Sequence, residues 1–205
     1  MAGGQLTITF GTLQIETAPT VYEPAEDSFL LATYASSLEG RVLDIGTGTG
    51  IAALSAAYAH PRNDVVGVDI NPASVECAKR NAKLNRLSNA EFSQSDMFSE
   101  VKGKFDAILF NPPYLPTTRE ERLKIAEENA AYDGGESGME ALYRFAGEVS
   151  RFLPSGGRAG VIATSLRDGI EHTLSQLKEN MGIASVVAQE EFFFEKIALV
   201  EAIKL

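Results

Sequence analysis

The chain has 205 residues, of which 44% are apolar and 22% charged, with 18 glycines and 8 prolines; this is the composition of one globular domain and excludes collagen-like, coiled-coil and disordered classes. A single cysteine, Cys77, excludes an internal disulfide and a four-cysteine zinc site, and two histidines, His60 and His172, give no basis for a histidine-rich metal cluster. Asp and Glu total 28 against 18 Lys and Arg, a formal charge of −10, and that field opposes unaided binding along a phosphate backbone.

Residues 1–20 form an N-terminal extension in which QLTITFGTLQIE (5–16) alternates apolar and polar around Gly11 and Thr12, the pattern of a small exposed hairpin. No Lys or Arg precedes Arg41, so the start of the chain has neither the basic n-region of a signal peptide nor the Arg-rich character of a transit segment. The most apolar stretch, Ile51 to Ala59, is far shorter than the roughly 20 residues of a membrane helix. A soluble, cytoplasmic protein is expected.

Arg41–Gly46 (RVLDIG) reads as a buried strand and Asp64–Asp69 (DVVGVD) as a second. Asn71 followed by Pro72 supplies an N-cap with proline at the first helical position, opening a helix to about Arg86. Cys77 lies in that helix as a small packing residue. A shorter strand is expected at Ala90–Gln94 and a strong one at Phe105–Phe110. The connection PYLPTTREERLKIAEENAAYDGG that follows (113–135) is far longer than the roughly 2–6 residues of an ordinary strand-to-helix link. It reads either as a solvated surface helix or as a substrate-side loop over 112–136. Ser137 and Glu140 form a capping box ahead of a helical stripe of Met139, Leu142, Tyr143, Ala146 and Val149. Arg158–Ala163 is a further strand, Asp168 and Glu171 open a helix to about Asn180, and weaker strands fall at Ala184–Gln189 and Ile197–Lys204. Phe192, Phe193 and Phe194 are read as core or edge packing. Unbroken apolar strands suit a parallel sheet covered on both faces, and strand–helix alternation implies a doubly wound α/β fold. No repeat divides the chain, so residues 1–205 are expected to form a single domain.

Chemistry concentrates at the ends of the strands. Asp44-Ile-Gly-Thr-Gly-Thr-Gly50 follows the first strong strand, and its glycines at 46, 48 and 50 let a ligand approach the backbone at a strand-to-helix turn. The spacing is GxGxG and departs from the GxGxxG of dinucleotide sites. Asp69 ends the next strand, at the separation from the glycine loop where an acid accepts from ribose hydroxyls. Asp96, in Ser95-Asp-Met-Phe98, follows the next strand and can reach a nucleoside base. Each acid also has a structural reading: Asp69 as a cap for the helix at Pro72, Asp96 as a turn residue. Asn111-Pro-Pro-Tyr114 comes directly after Phe105–Phe110. Proline at 112 disfavours helical geometry at Asn111, so the Asn111 side-chain oxygen and a nearby carbonyl are held in set directions. Two such acceptors orient a planar NH₂ group, and Tyr114 offers a flat face beside it.

With these residues the chain resembles class I S-adenosylmethionine-dependent methyltransferases that modify planar nitrogens, and in particular the HemK/PrmC-type glutamine methyltransferases of class 1 translation release factors. The NPPY motif is shared with adenine methyltransferases. Val21-Tyr-Glu-Pro-Ala-Glu-Asp-Ser28 is similar to the opening segment of the eukaryotic and archaeal branch, which lacks the N-terminal helical domain of bacterial members. Ala131-Tyr-Asp-Gly-Gly-Glu-Ser-Gly138 is similar to the Gly-rich turn after the NPPY loop. The resemblance implies a Rossmann-like, mainly parallel seven-stranded sheet with helices on both faces. It implies that Ser28, Asp44, Gly46, Gly48, Asp69, Asp96, Met97 and Asn111 line an S-adenosylmethionine site. Asp69 would hold the ribose, Asp96 and the Met97 backbone the adenine, and Asp44 and Gly46 would face the methionyl portion. Asn111, Pro112, Pro113 and Tyr114 would bind the target amide, with Asn111, Pro112 and Tyr114 catalytic. Ser28 and Met97 stand where the family also has Thr and Leu.

The expected activity is methyl transfer to the GGQ glutamine of a release factor, with a small zinc-binding activator subunit as a partner. Two alternatives stand beside it: methylation of an exocyclic amine of adenine or guanine in nucleic acid, which the −10 charge disfavours, and a non-catalytic scaffold that binds the cofactor. Neither His60 nor His172 is expected to be catalytic, and no metal is expected.

Overall fold

The computed structural model describes residues 6–113 and 139–205. Tyr114, the rest of the 112–136 loop beyond Pro113, and Ser137 of the expected capping box lie outside the described residues.

The N-terminal hairpin is formed by β1 (Thr7–Phe10) and β2 (Leu13–Glu16), paired antiparallel with Ile8 opposite Ile15. Gly11 turns the chain at φ 58°, in open space, a conformation that favours glycine. The expectation of an exposed hairpin is corrected on one face, where Leu13 and Ile15 are buried. The hairpin's edge is paired too. Asn81 of helix α3 (Pro72–Leu84) and Asn85, which caps its C-terminus, each present a side-chain amide to β2. Asn85 accepts from the Gln14 N–H and donates to the Gln14 carbonyl, and Asn81 does the same with Glu16. Four helical residues rise about 6 Å and two strand residues about 6.6 Å, so the two amides match successive backbone groups on one strand edge. The helix thereby stands in for a neighbouring strand and covers an edge that would otherwise invite pairing.

The main sheet contains β3 (Arg41–Ile45), β4 (Asp64–Asp69), β5 (Ala90–Gln94), β6 (Ala107–Phe110), β7 (Arg158–Thr164), β8 (Gly182–Glu191) and β9 (Lys196–Lys204). Their order is β5-β4-β3-β6-β7-β9-β8. Strands β3 to β7 pair in parallel, and β9 runs antiparallel between β7 and β8. Successive residues of each strand feed opposite layers. Val42, Leu109, Ile162 and Leu199 pack with α1 (Glu26–Ala35), α2 (Ile51–Ala59) and α3. Leu43, Ile108, Val161 and Val200 pack with α4 (Glu140–Val149) and α5 (Gly169–Met181). This is the expected Rossmann-like, mainly parallel sheet with helices on both faces. No helix among the described residues is long and apolar enough to cross a membrane.

Local chemistry explains the boundaries. The Asn71 side chain accepts from the Ala73 N–H as the expected N-cap, and α3 stops at Leu84, with Arg86 left-handed at φ 58°. Helix α2 is buried over Ile51–Ala57 and follows Gly50 at φ 85°; a Cβ there would lie 3.0 Å from the Ala78 Cβ.

Four expectations are corrected. Helix α4 begins at Glu140 after Met139, so Glu140 takes its first position and not the third position a capping box requires. Its buried stripe is Leu142, Phe145, Ala146 and Val149, while Tyr143 faces solvent. Helix α5 starts at Gly169, and Asp168 precedes it left-handed at φ 58° without a side-chain cap bond. Phe193 and Phe194 are 92% and 87% exposed, because they occupy the tip of the β8–β9 hairpin, where no layer reaches. The hairpin closes there by the Phe192 N–H donating to the Glu195 carbonyl.

Candidate functional site

Strand order reverses between β3 and β6, the latter being the central strand of the seven. At such a switch point the loops after neighbouring strands diverge and leave a crevice over the carboxyl ends. Asp44, Gly46, Gly48, Asp69, Asp96, Met97 and Asn111 all lie at or just beyond those ends.

The β3–α2 loop is shaped by glycine. Gly46 and Gly48 have φ of 66° and 56°. A Cβ on Gly46 would meet only the Phe110 ring edge, at 3.8 Å, and one on Gly48 would meet nothing within 4 Å. The space beside the loop is therefore open to a ligand. The loop is braced from β4: the Thr47 N–H donates to the Val68 carbonyl, and the Gly48 N–H donates to Asp69 Oδ2 at 2.9 Å. The other oxygen of Asp69 accepts from the Asn71 N–H at 2.9 Å. The Asn71 side chain, not Asp69, accepts from the Ala73 N–H at the start of α3, and Asp69 holds the glycine loop.

Asp44 is 2% exposed, and Thr47 donates its hydroxyl to Asp44 Oδ2 at 2.7 Å. Burial pushes its carboxyl up to about 7, partly offset by the Thr47 hydroxyl and the Ala53 N–H, with the charge of Asp69 adding to the rise. Burial raises Asp69 as well, against the donated N–H groups of Asn71 and Gly48. Two acids that resist ionisation in one crevice are stabilised in their charged forms by a cation.

Asp96 is exposed and forms an ion pair with Arg144 at 3.0 Å. Met97 follows at φ 52°, its carbonyl accepting from the Ser95 hydroxyl at 2.8 Å. That bond fixes the turn after β5.

Asn111 leaves β6 directly after Phe110, whose ring stacks on Phe145 with centroids 4.7 Å apart. Pro112 is buried and Pro113 half-buried. The Asn111 amide is held by its nitrogen, which donates to Asp27 Oδ2 at 3.0 Å. Its oxygen is buried and has no hydrogen-bond partner among the described residues. Asp27 is 1% exposed and sits beside Ser28 on α1; Ser28 donates both its N–H and its hydroxyl to Asp27 Oδ1. Ser28 thus reaches the Asn111 region through Asp27.

Asp27, Tyr22 and Thr47 are functional candidates that sequence reasoning did not single out. Asp27 and Tyr22 lie inside the Val21–Ser28 segment that carried the resemblance, but they meet Asn111 across 84 residues, a pairing that no local spacing encodes. Cys77 is buried and donates to the Glu16 carbonyl, and His60 contacts the Ser36 carbonyl at 3.1 Å.

Comparison with known proteins identifies the family. The methyltransferase small domain family matches residues 21–131. A candidate protein N5-glutamine methyltransferase of Methanocaldococcus jannaschii is 41% identical over 194 residues, covering 94% of this chain and 96% of that protein. The release factor glutamine methyltransferase of Mycolicibacterium smegmatis is 30% identical over 163 residues, 76% of this chain and 58% of its own length. The same-named protein of Aliivibrio fischeri is 34% identical, over 72% of this chain and 55% of its own. The chain thus spans nearly all of the archaeal relative and little more than half of these bacterial ones.

Among solved structures, the T. thermophilus 16S rRNA N2 G1207 methyltransferase, in complex with AdoMet and guanosine, superposes with a TM-score of 0.71 at 20% identity, over 98% of this chain and 50% of that one. The E. cuniculi Mtq2–Trm112 complex, responsible for methylation of the eRF1 termination factor, gives 0.66 at 22% identity, over 91% and 99%. At these identities the two structures share the fold. With a family match over more than half its length and a relative aligned nearly end to end, the chain belongs to the methyltransferase small domain family, in its N5-glutamine methyltransferase group.

Proposed function

We propose that the chain transfers a methyl group from S-adenosylmethionine to the side-chain amide nitrogen of a protein glutamine, namely the GGQ glutamine of a class 1 translation release factor. The observation that carries this reading is Asn111: a buried carbonyl oxygen without a partner among the described residues, at the switch point of the sheet, on an amide whose nitrogen is already engaged. A buried acceptor left unmade costs about 1–3 kcal/mol, so the site gains when a donor arrives. A carboxamide NH₂ supplies one.

The cofactor fits the residues present. Open space beside Gly46 and Gly48 admits a ligand against the loop. Asp69, braced by the loop, is proposed to accept the ribose hydroxyls. Asp44 is proposed to face the methionyl portion, and its burial beside Asp69 suits a cation. Asp96 and the Met97 backbone are proposed to meet the adenine, with Arg144 holding the Asp96 carboxylate, and Ser28 is proposed to complete the wall. When bound, the cofactor supplies a methyl group activated by a sulfonium.

An amide nitrogen is a weak nucleophile, since its lone pair is delocalised into the carbonyl. Asn111 Oδ1 and the Pro112 carbonyl would accept its two N–H bonds, turning the nitrogen's out-of-plane lone pair toward the methyl for in-line displacement. Such positioning is worth up to about 7–11 kcal/mol in favourable systems. Accepting both N–H bonds also stabilises the positive charge that grows on nitrogen as the new bond forms. Neither carbonyl is basic enough to keep a proton, so one is released to solvent after transfer. Tyr114 is proposed to pack on the flat face of the amide, with Pro113 stiffening the loop.

The partner assignments rest on the same relatives. The release factor as substrate is supported by the names of the bacterial proteins, and a small partner subunit by the E. cuniculi complex. We propose that this subunit binds zinc, that the described fold acts as a single domain over residues 1–205, and that the enzyme works in the cytoplasm beside the translation machinery. The test is transfer of labelled methyl, with wild-type and Asn111→Ala protein each offered a class 1 release factor and mixed RNA and DNA. Label on the release factor with wild type alone supports the proposal. Label on nucleic acid, or equal label with both proteins, overturns it.

A further inference from the structure

The Asn111 amide can face the crevice in two ways that differ by a half-turn, presenting either its oxygen or its NH₂. The two are nearly equal in shape, and the reaction tolerates one of them, since an NH₂ would meet the substrate's N–H groups donor against donor. We propose that Asp27 is the positioning residue that sets this choice; the inference rests on the reading that Asn111 receives the substrate amide.

Asp27 Oδ2 accepts from Asn111 Nδ2 at 3.0 Å and from the Tyr22 hydroxyl at 3.1 Å. Its Oδ1 accepts from the Ser28 N–H at 2.6 Å and the Ser28 hydroxyl at 3.1 Å. An ionised carboxylate accepts and does not donate, so the group of Asn111 that faces it must be the NH₂, and the oxygen must face away. A half-turn of Asn111 would set its oxygen against Asp27 Oδ2 and lose a charge-assisted bond in a buried place. The carboxylate is itself fixed: the Ser28 N–H belongs to the first turn of α1, and Tyr22 locks the second oxygen. The start of α1 is held in turn by Phe10 of the hairpin, stacked on Phe29 with centroids 5.6 Å apart. The N-terminal segment thus dictates which face Asn111 shows.

The test replaces Asp27 with its isostere. In Asp27→Asn the backbone N–H of Ser28 keeps the new carboxamide's oxygen, which turns its NH₂ toward Asn111 and drives Asn111 through the half-turn. The expected kcat falls about 100-fold, in the range for losing one preorganised polar contact, with S-adenosylmethionine affinity within about threefold of wild type, because no cofactor group is removed. A second change reverses the polarity. In Asp27→Asn/Asn111→Asp the carboxylate at 111 accepts from the amide at 27 and again shows an acceptor to the crevice, so kcat recovers at least about tenfold over Asp27→Asn.

A loss of packing would not be rescued in this way. The side-chain ¹⁵N–¹H signals of Asn111, read without any substrate, report the orientation directly: one amide proton shifted downfield by the carboxylate in wild type, and that shift lost in Asp27→Asn. Wild-type kcat in Asp27→Asn, no recovery in the double variant, or unchanged Asn111 signals would each overturn the proposal. If wild-type protein methylates no glutamine while the Asn111 signals move as expected, the substrate reading fails and the positioning role stands.

Discussion

Replacing Asp44 by asparagine tests the electrostatics of the crevice. Asp44 is 2% exposed, and burial lifts its carboxyl from 3.8 to about 7. Between those values the folded state binds a proton that the unfolded chain has released. The contribution is therefore fully present below pH 3.8 and is lost as pH rises toward 7. At about 1.36 kcal/mol per pH unit, the whole span is about 4 kcal/mol, of which about 3 kcal/mol falls between pH 5 and pH 8. The substituted carboxamide carries no charge and keeps one acceptor for the Thr47 hydroxyl. In the protein without cofactor, Asp44→Asn should be more stable than wild type at pH 8, and this advantage should shrink by about 3 kcal/mol by pH 5. Titrating groups remote from Asp44 cancel in the difference, and its neighbour Asp69, relieved of one like charge, adds in the same direction. The assay is urea unfolding at pH 5, 6, 7 and 8, followed by circular dichroism, since the chain has no tryptophan. A difference independent of pH, or one that grows toward acid, would refute the reasoning. The same charge should matter for the ligand: wild-type affinity for the cationic cofactor should rise from pH 6 to pH 8, and that of Asp44→Asn should rise less.

If Asn111 receives the substrate amide as proposed, Asn111→Ala should lower methyl transfer at least about 1,000-fold while calorimetric S-adenosylmethionine affinity stays within a few-fold. Asn81→Ala should cost about 2 kcal/mol in urea unfolding, since the Glu16 N–H and the buried Thr49 carbonyl lose the amide they bond, while Cys77 keeps its bond to the Glu16 carbonyl. Gly48→Ala should lower stability by about 1 kcal/mol through its positive φ, with a larger loss of cofactor affinity because the new methyl enters the open space beside the loop. Phe193→Ser/Phe194→Ser should leave stability within about 0.5 kcal/mol, since neither ring is buried.

The sheet was legible because its inner strands are continuous apolar runs: Asp64–Asp69 is found with the expected ends, as is the shorter edge strand Ala90–Gln94, set off by its flanking turns. Asn71 was legible because an N-cap acts within two residues. Features decided across the chain were not. Nothing local tells Asn81 and Asn85 that they will face a strand edge, or Asp27 that it will meet Asn111. Tyr143 fits a helical stripe by spacing, yet α4 docks by the face of Leu142, Phe145, Ala146 and Val149, which leaves Tyr143 about 100° round from Leu142 and outward. The phenylalanines at 192–194 look like core by composition, and only the position of the β8–β9 tip exposes them. Asp96 was recognisable as an acid after a strand, but its ion pair with Arg144 depends on how α4 docks. Helix α1 went unrecognised because Ala25 gives it no side-chain cap. Motif chemistry was therefore readable at the strand ends, where each residue acts from its own loop. The contacts that orient those residues come from other layers.

Whether a protein glutamine nitrogen receives the methyl group is read most directly by tandem mass spectrometry of a class 1 release factor after incubation with the enzyme and S-adenosylmethionine. The expected product carries a single methyl on the side-chain nitrogen of the GGQ glutamine, absent when Asn111→Ala replaces the wild type. A methyl on any other residue, or an unmodified factor beside methylated nucleic acid, would contradict the proposed activity.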